Sequence, residues 1–352
     1  MAQRRTRGDN VTIRDVAREA DVSIATVSRV LRGSEVVTDA TRDRVLEVVD
    51  RLAFTPSRAA RSLAERRHAA NGIVFPDLSG PYFAEVVLGY EEVAAALGRS
   101  VLILSTHGRD AAPDMVLELA TRVDGLVVLG RTVADDVVAE IRSRGVPVVL
   151  LARPALADAA GRLAPADVVA ADNHDSAHDL VAHLLADGHR DLVFAGNPDA
   201  SPDVAMRWSA VRTAATAGGA HVRLVRAGFG EDDGAPLLDH LRGDGLPDAL
   251  LCANDELALG VVEALRAAGI DVPGDVAVTG WDDVMAARYA RLTTVRQPMR
   301  ELGATAARLL DARISDPARP AVHRVLTTDL VVRGSCHATA PTGPTAPTPR
   351  DH

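Results

Sequence analysis

Residues 12–33 read Thr-Ile-Arg-Asp-Val-Ala-Arg-Glu-Ala-Asp-Val-Ser-Ile-Ala-Thr-Val-Ser-Arg-Val-Leu-Arg-Gly. Ile13, Val16, Ala17 and Ala20 fall on one helical stripe, and Val27, Val30 and Leu31 on a second, with a break at Asp21-Val22-Ser23 between them. Thr12 and Ser23 stand where helix N-caps belong, because a hydroxyl there can accept a bond from an orphan backbone N–H. Two short helices joined by a turn of about three or four residues describe a helix-turn-helix, whose second helix enters the major groove of DNA. The start and outer face of that helix carry Ser23, Ile24, Ala25, Thr26, Ser28 and Arg29. Hydroxyls bond phosphates, small apolar groups meet a thymine methyl, and arginine forks onto guanine. The pattern alone equally fits an amphipathic helix pair buried in a core.

Charge separates the two readings. The net charge is −9, yet residues 1–70 hold 14 Arg against 10 Asp and Glu, a surplus of +4 that leaves −13 on the remainder. A basic head on an acidic body points to a polyanion met by the head alone. The chain has 352 residues, 47% hydrophobic and 25% charged, enough for two or three globular domains. No apolar run approaches membrane-span length, and no signal-peptide core follows the basic N-terminus, so a cytoplasmic location is expected. Cys252 and Cys336 lie far apart, and Cys252 ends an apolar run as a small buried hydrophobe would.

Beyond the second helix, Thr38 can cap a third through about Leu52, with Val45, Leu46, Val48, Val49 and Leu52 on its apolar side. A short helix follows, capped by Thr55 with Pro56 at its first position, too short and polar to stand alone. From Asn71 onward apolar runs of strand length (73–75, 101–104, 126–129, 146–151, 168–170, 192–195, 249–252, 276–279) alternate with helical segments (83–97, 134–144, 176–186, 204–217, 256–268, 299–314). Such alternation predicts parallel sheets covered on both faces, and the number of strands predicts two lobes. The Pro/Thr/Ala-rich tail, 338–352, is expected to be disordered.

Several segments carry a family resemblance. In the head they are Thr12-Ile13-Arg14-Asp15-Val16-Ala17, residues 22–31 and Arg58-Ala59-Ala60-Arg61-Ser62-Leu63. In the body they are Pro76-Asp77-Leu78-Ser79, Val123-Asp124-Gly125-Leu126, Gly145-Val146-Pro147-Val148-Val149, and residues 253–260, 272–278, 292–298 and 330–335. Taken in order over about residues 11–336, the chain resembles the LacI/GalR family of bacterial transcription regulators. The resemblance implies an all-α helix-turn-helix head with a hinge helix, joined to a two-lobed α/β core like that of periplasmic sugar-binding proteins, with parallel sheets. The corresponding division is a basic arm (1–10), a DNA-binding domain (11–56), a hinge helix and linker (57–70), an effector-binding and dimerisation core (71–337) and the tail. Within the core, the N-lobe takes about 71–170 and 299–323 and the C-lobe about 171–296 and 324–337.

By position, Ile24, Ala25 and Arg29 match the family's base-reading sites, and Leu63 matches a leucine that wedges into the minor groove and kinks the duplex. Thr12, Arg58 and Ala60 join the DNA face through the matched head segments. A core contact is the other reading of Leu63. Asp21 stands where the family usually has Gly, and Arg32 replaces a common Asn. Asp tolerates the left-handed conformation such a turn needs better than most residues.

Ligands of open α/β sheets bind beyond the carboxyl ends of strands. Asp77, Ser79 and Tyr82 follow the first strand of the body, Asn254 and Asp255 follow the 249–252 run, and Trp281 and Asp282 follow 276–279. Carboxylates and amides suit sugar hydroxyls, and an aromatic face suits a pyranose. The resemblance implies that Arg207 and Asp282 are recurrent sugar contacts and that Phe229 stacks on ligand. Arg153 is a further candidate for the cleft, although Ala152 stands where the family usually has Asp before that Arg. Asp255 and Asp282 also fit helix caps. His174 and His178 share a helical face with His183 and His189 nearby, a set read as solvated histidines, with neither metal nor cofactor expected.

The function expected is a ligand-controlled repressor, a homodimer on a pseudo-palindromic double-stranded operator, with a sugar or polyol as effector. A purine-type corepressor is the second reading within the class. A sugar-binding protein without regulatory DNA binding would fit the body alone. An α/β enzyme is not expected, since there is no Gly-rich phosphate loop, nucleophile elbow or catalytic dyad. Residues after Ser335 lack a leucine heptad, so a tail-driven tetramer is not expected.

Overall fold

In the computed structural model, which describes residues 11–31, 34, 36–54, 68–153, 166–243 and 245–336, the chain divides into two compact units, with the division along the sequence between Ala69 and Ala70. The first unit is the head. Its helices are α1 (Ile13–Glu19), α2 (Ile24–Leu31) and α3 (Asp39–Arg51). Ser23 caps α2 as expected, its hydroxyl accepting from the Thr26 N–H at 3.1 Å. Thr12 opens α1 differently. Its backbone N–H and its hydroxyl both donate to the Asp15 carboxylate, at 3.0 and 2.8 Å, so the hydroxyl serves as donor. Asp21 takes φ 49° in the turn between α1 and α2, the left-handed conformation for which Gly is the usual residue. Val16, Ala20, Val27, Val45, Val48 and Phe54 close the core between the three helices. Leu46 does not join them. It is 42% exposed, because the stripe that faces α1 and α2 is set by Val45 and Val48.

The second unit begins with a six-stranded parallel sheet in the order β11-β5-β4-β3-β1-β2. Its strands are β1 (Ala70–Phe75), β2 (Ser100–Ser105), β3 (Leu126–Leu129), β4 (Val148–Leu151), β5 (Asp167–Ala171) and β11 (His323–Leu326). Alternate side chains go to opposite faces. Ile73, Phe75, Val127, Leu129, Val149 and Leu151 pack under α4 (Pro81–Ala96) and α12 (Met299–Ser315). Val74, Leu126, Val128, Val148 and Leu150 pack under α5 (Ala112–Ala120) and α6 (Asp135–Ser143).

The other lobe is a four-stranded parallel sheet, β7-β6-β8-β9, from β6 (Asp191–Ala195), β7 (His221–Val225), β8 (Ala249–Cys252) and β9 (Ala277–Thr279). The helices α7 (Asp175–Ala186) and α8 (Pro202–Ala217) cover one face, and α9 (Gly234–Arg242) and α10 (Asp255–Ala267) the other. A short helix, α11 (Met285–Tyr289), follows β9. The chain passes between the sheets three times: between β5 and α7, between β10 (Thr294–Arg296) and α12, and between β11 and β12 (Asp329–Val331). The strands β10 and β12 form their own antiparallel ribbon. Because β11 pairs with β5 through Leu326, the last passage falls after 326 and not at the expected 323.

Both lobes are tightened by glycines. A methyl group on Gly89 of α4 would overlap the Arg300 carbonyl of α12, and one on Gly303 of α12 would overlap the Val86 carbonyl of α4. In the second lobe, a methyl on Gly260 of α10 would overlap the Glu231 carbonyl, and one on Gly234 of α9 would overlap the Gly260 backbone.

Candidate functional site

Two surfaces carry the chemistry. The first is the outer side of α2. Ser23, Ile24, Ala25 and Arg29 are exposed, Ile24 at 46%, with Thr26 and Ser28 half-buried and Thr12 exposed at the start of α1. A branched apolar side chain in solvent at a helix tip, next to hydroxyls and an arginine, gives this helix the donors and apolar contacts that base edges and phosphates match. Arg58, Ala60 and Leu63, expected in the hinge helix, lie outside the described residues, as do Arg32, the arm and the tail.

The second surface forms at the carboxyl ends of the strands of both lobes. Arg207, on α8, is buried. Its Nε donates to Asn173 Oδ1 at 2.8 Å, its Nη1 donates to the Ala253 carbonyl at 2.7 Å, and its guanidinium lies 4.6 Å from the centre of the Trp281 ring. That geometry is a cation–π contact. It places Arg207 on the aromatic face that sequence reasoning offered to a sugar. Trp281 is itself core, 1% exposed, and its Nε1 has no partner among the described residues.

Asp282 follows on a sharply turned backbone. Asp282 and Asp283 have φ of 120° and 57°, and the two carboxylates take different partners. The Asp282 carboxylate accepts from the Gln297 side-chain amide, while Asp283 accepts from Arg296 Nε at 2.7 Å and pairs with Arg333. Burial pushes the Asp282 carboxyl well above the usual range; Arg207 opposes this and Asp255 and Glu256 add to it. Asp203, at the start of α8, is also buried and raised by desolvation, with Arg207 and Asn173 holding it back.

Tyr82 is the first lobe's contribution. Its hydroxyl is enclosed without a partner among the described residues, and it lies within electrostatic reach of Asp203, Asp282 and Arg207. Burial and those carboxylates raise its pKa. Nearby, a side chain on Gly80 would run into the Glu256 carboxylate of the second lobe, so the lobes approach closely at this edge.

Other expected site residues are committed elsewhere. Asp77 closes on its own turn, accepting from the backbone of Leu78 and Ser79 and from the Ser79 hydroxyl, with His107 Nδ1 3.2 Å away. Desolvation works against its charge, but these donors hold its carboxyl below the usual value. Arg153 bonds within its own lobe, to the Val133 carbonyl and the Asp135 carboxylate at the start of α6. Asn254 caps α10 and donates to the Phe229 carbonyl at 2.8 Å and to Glu256 at 2.9 Å. The half-buried Phe229 packs on the second-lobe core. Asp255 is fully buried and holds scaffold: it accepts from Val284 N at 2.8 Å and from Thr294 Oγ1 at 2.6 Å. Burial lifts its carboxyl to about 7. Of the four histidines, His174 is exposed as expected and the other three are half-buried. His174 and His178 stack at 4.6 Å, His178 Nε2 is enclosed, and His183 is half-buried beside Asp187.

The structure therefore brings Arg207, Asp282, Trp281 and Tyr82 together and adds Asp203, Asn173 and Gln297. Asn173 follows β5 at its carboxyl end, the position that marks ligand-facing residues in such sheets. Gln297 lies just after β10. Both sit in segments that pass between lobes.

A helix-turn-helix head with an outward-facing second helix, followed by two parallel α/β lobes around a buried polar cluster, is the build of a DNA-binding regulator with a ligand-binding body. Residues 12–57 match the family described as bacterial regulatory proteins, lacI family, and residues 181–336 match the periplasmic binding protein-like domain. Catabolite control protein A of Priestia megaterium is 34% identical over 311 residues, covering 86% of this chain and 92% of that protein. The HTH-type transcriptional regulator GalR of Escherichia coli (strain K12) is 32% identical, covering 92% of this chain and 95% of that protein. Among solved structures, a lac repressor dimer bound to operator and the anti-inducer ONPF superposes with a TM-score of 0.82 at 27% identity, covering 94% of this chain and 100% of that one. A complex of the transcriptional regulator CelR with cellobiose gives 0.68 at 29% identity, covering 93% and 100%. The chain belongs to the lacI family of bacterial regulatory proteins.

Proposed function

We propose that this chain is a cytoplasmic transcription repressor, acting as a homodimer on a pseudo-palindromic operator, whose affinity for DNA is set by a sugar or polyol bound between the lobes of its body. The observation that carries the reading is the cluster around Arg207: buried polar groups from both lobes, several without partners among the described residues, beneath strand ends. Such a site suits a small polar guest. The exposed Ser23, Ile24, Ala25 and Arg29 support base reading by α2. In this reading Arg58, Ala60 and Leu63 form the hinge contacts at the operator centre. Exposed apolar side chains such as Leu88, Ile103, Met285 (66%) and Tyr289 (81%) support pairing with a second copy. No helix among the described residues is long and apolar enough to cross a membrane.

Ligand and operator are linked reciprocally: a sugar that weakens operator binding is itself weakened by operator to the same factor. The test is selection of duplexes from a random pool by the full-length protein, then titration of the selected duplex with neutral sugars at several salt concentrations. The expected outcome is a palindromic consensus, a steep fall of affinity with salt and a change of affinity with at least one sugar. No preference over scrambled DNA removes the regulator reading. A preference that no small molecule alters removes the effector part.

A further inference from the structure

Ala69 takes φ 50°, in the left-handed region that an alanine enters against a preference of about tenfold. Asp21, Ala53 and Arg291 share that conformation, but each ends a helix. The residue after each closes the end by a backbone bond: the Val22 N–H to the Ala17 carbonyl, Phe54 to Val49, and Leu292 to Ala287. Ala69 stands instead one residue before a strand, β1. Extended backbone leads into a strand without steric cost, so β1 itself does not require the turn.

The body side of this residue is firmly held. All six residues of β1 are buried. Ala70 pairs with Ser100 of β2, and its carbonyl accepts from the Asp124 N–H at 2.8 Å. The Asp124 carboxylate accepts from Arg99 Nη1 at 2.9 Å, and Arg99 Nε donates to Asp311 of α12 at 2.8 Å. Ala70 is thereby tied to α12, the helix that follows the second passage between the sheets. Ala69 supplies the first φ and ψ outside the sheet.

Ala69 is the last residue of the first compact unit and Ala70 the first of the second, and the chain makes that passage once. Strained backbone persists where its surroundings over-determine it, and it gathers at switch regions. A rotation at this one junction redirects the chain, while the sheet and the head each keep their internal packing.

Taking the chain as an operator-binding repressor, we propose that Ala69 is the positioning residue through which the body governs the head: tight operator binding requires its left-handed backbone, and relaxation to the extended form lowers operator affinity while both units stay folded.

Side chains rank by this requirement. Glycine takes positive φ as readily as negative, asparagine tolerates the left-handed region, and β-branched residues are nearly excluded from it. Threonine and valine are close to asparagine in size, so a difference between them reports backbone and not bulk.

The experiment compares full-length wild type with A69G, A69N, A69T and A69V. Each is titrated by fluorescence anisotropy against the duplex that wild type selects from a random pool and against a scrambled duplex. Melting and sedimentation check folding and assembly. A69G and A69N should bind the selected duplex as tightly as wild type or up to about tenfold more tightly, and A69T and A69V about tenfold or more weakly. Scrambled DNA should be bound alike by all, because non-specific affinity comes from phosphate contacts of the head. A69T and A69V that match wild type on the selected duplex overturn the inference, as does a loss shared equally by all four variants. Should A69T and A69V fail to melt cooperatively, the other two decide: affinity at or above wild type supports the inference, and a clear loss in both overturns it. Each of these failures leaves the repressor reading intact. A wild type with no preference for any duplex overturns both.

Discussion

Asn173 Oδ1 accepts a hydrogen bond from Arg207 Nε at 2.8 Å, and by this bond the central cation of the cluster is held by a segment that runs between the lobes. Asn173 lies between β5, in the first lobe, and α7, in the second. A group placed there reports the relative position of the lobes to the guanidinium.

Replacing Asn173 with Ala leaves a buried Arg207 N–H without its acceptor. The cost of such an orphan is about 1–3 kcal/mol. The variant is expected to melt at lower temperature and to bind its effector about tenfold or more weakly, because the guanidinium is free to swing off Trp281. Thermal denaturation with calorimetric titration checks this; unchanged effector affinity would place Arg207 outside the binding machinery.

Arg29 is exposed on the outer side of α2. If it forks onto a base, Arg29→Ala should weaken binding to the selected operator by about 1–3 kcal/mol and relax the preference at one base pair of each half-site. A phosphate contact would instead weaken all duplexes alike. Anisotropy titrations on the operator and its single-position variants distinguish the two.

The Asp255 carboxyl titrates near 7 in the folded chain against 3.8 as an unperturbed group. The native state therefore holds an extra proton between about pH 4 and 7, and this residue's effect is to make stability fall as pH rises through that window. Asp255→Asn can keep the acceptor for Val284 N and turn its amide to Thr294, so the fold should survive. Urea denaturation at pH 5 and pH 7.5 should show a smaller loss of stability across the window in the variant than in wild type.

Gly303 has no room for a methyl against the Val86 carbonyl. Gly303→Ala should force α4 and α12 apart, at a cost of about 1–3 kcal/mol typical of overpacking. Denaturant unfolding measures it. A variant as stable as wild type would mean that the two helices slide without loss.

Much of this architecture was legible because the signals were periodic. The stripes of α1 and α2, the Ser23 cap and the apolar runs of β1, β3, β6 and β8 all fall where residue spacing puts them. Strands without such runs were not legible. His323–Leu326 is largely exposed, β10 and β12 are three residues each, and β7 alternates too weakly to stand out. In the candidate site, Arg207, Asp282, Trp281 and Tyr82 were marked by type and by strand ends or family position. Asp77, Arg153 and Asp255 carry similar labels but bond to their own surroundings, which sequence does not show. Asp203 was hidden because an acid in a first helical turn reads as an ordinary dipole partner. Asn173 and Gln297 were hidden because a short polar residue between elements reads as a turn.

The paired glycines leave each half of the body little internal slack. Backbone lies against backbone at these helix contacts in both, and close-packed interiors yield only by discrete shifts. In the proposed reading, the stress a guest exerts on Tyr82 from one side and Asp282 from the other passes to the three strips of chain between the sheets. Two of those strips, through Asn173 and Gln297, already bond to the cluster.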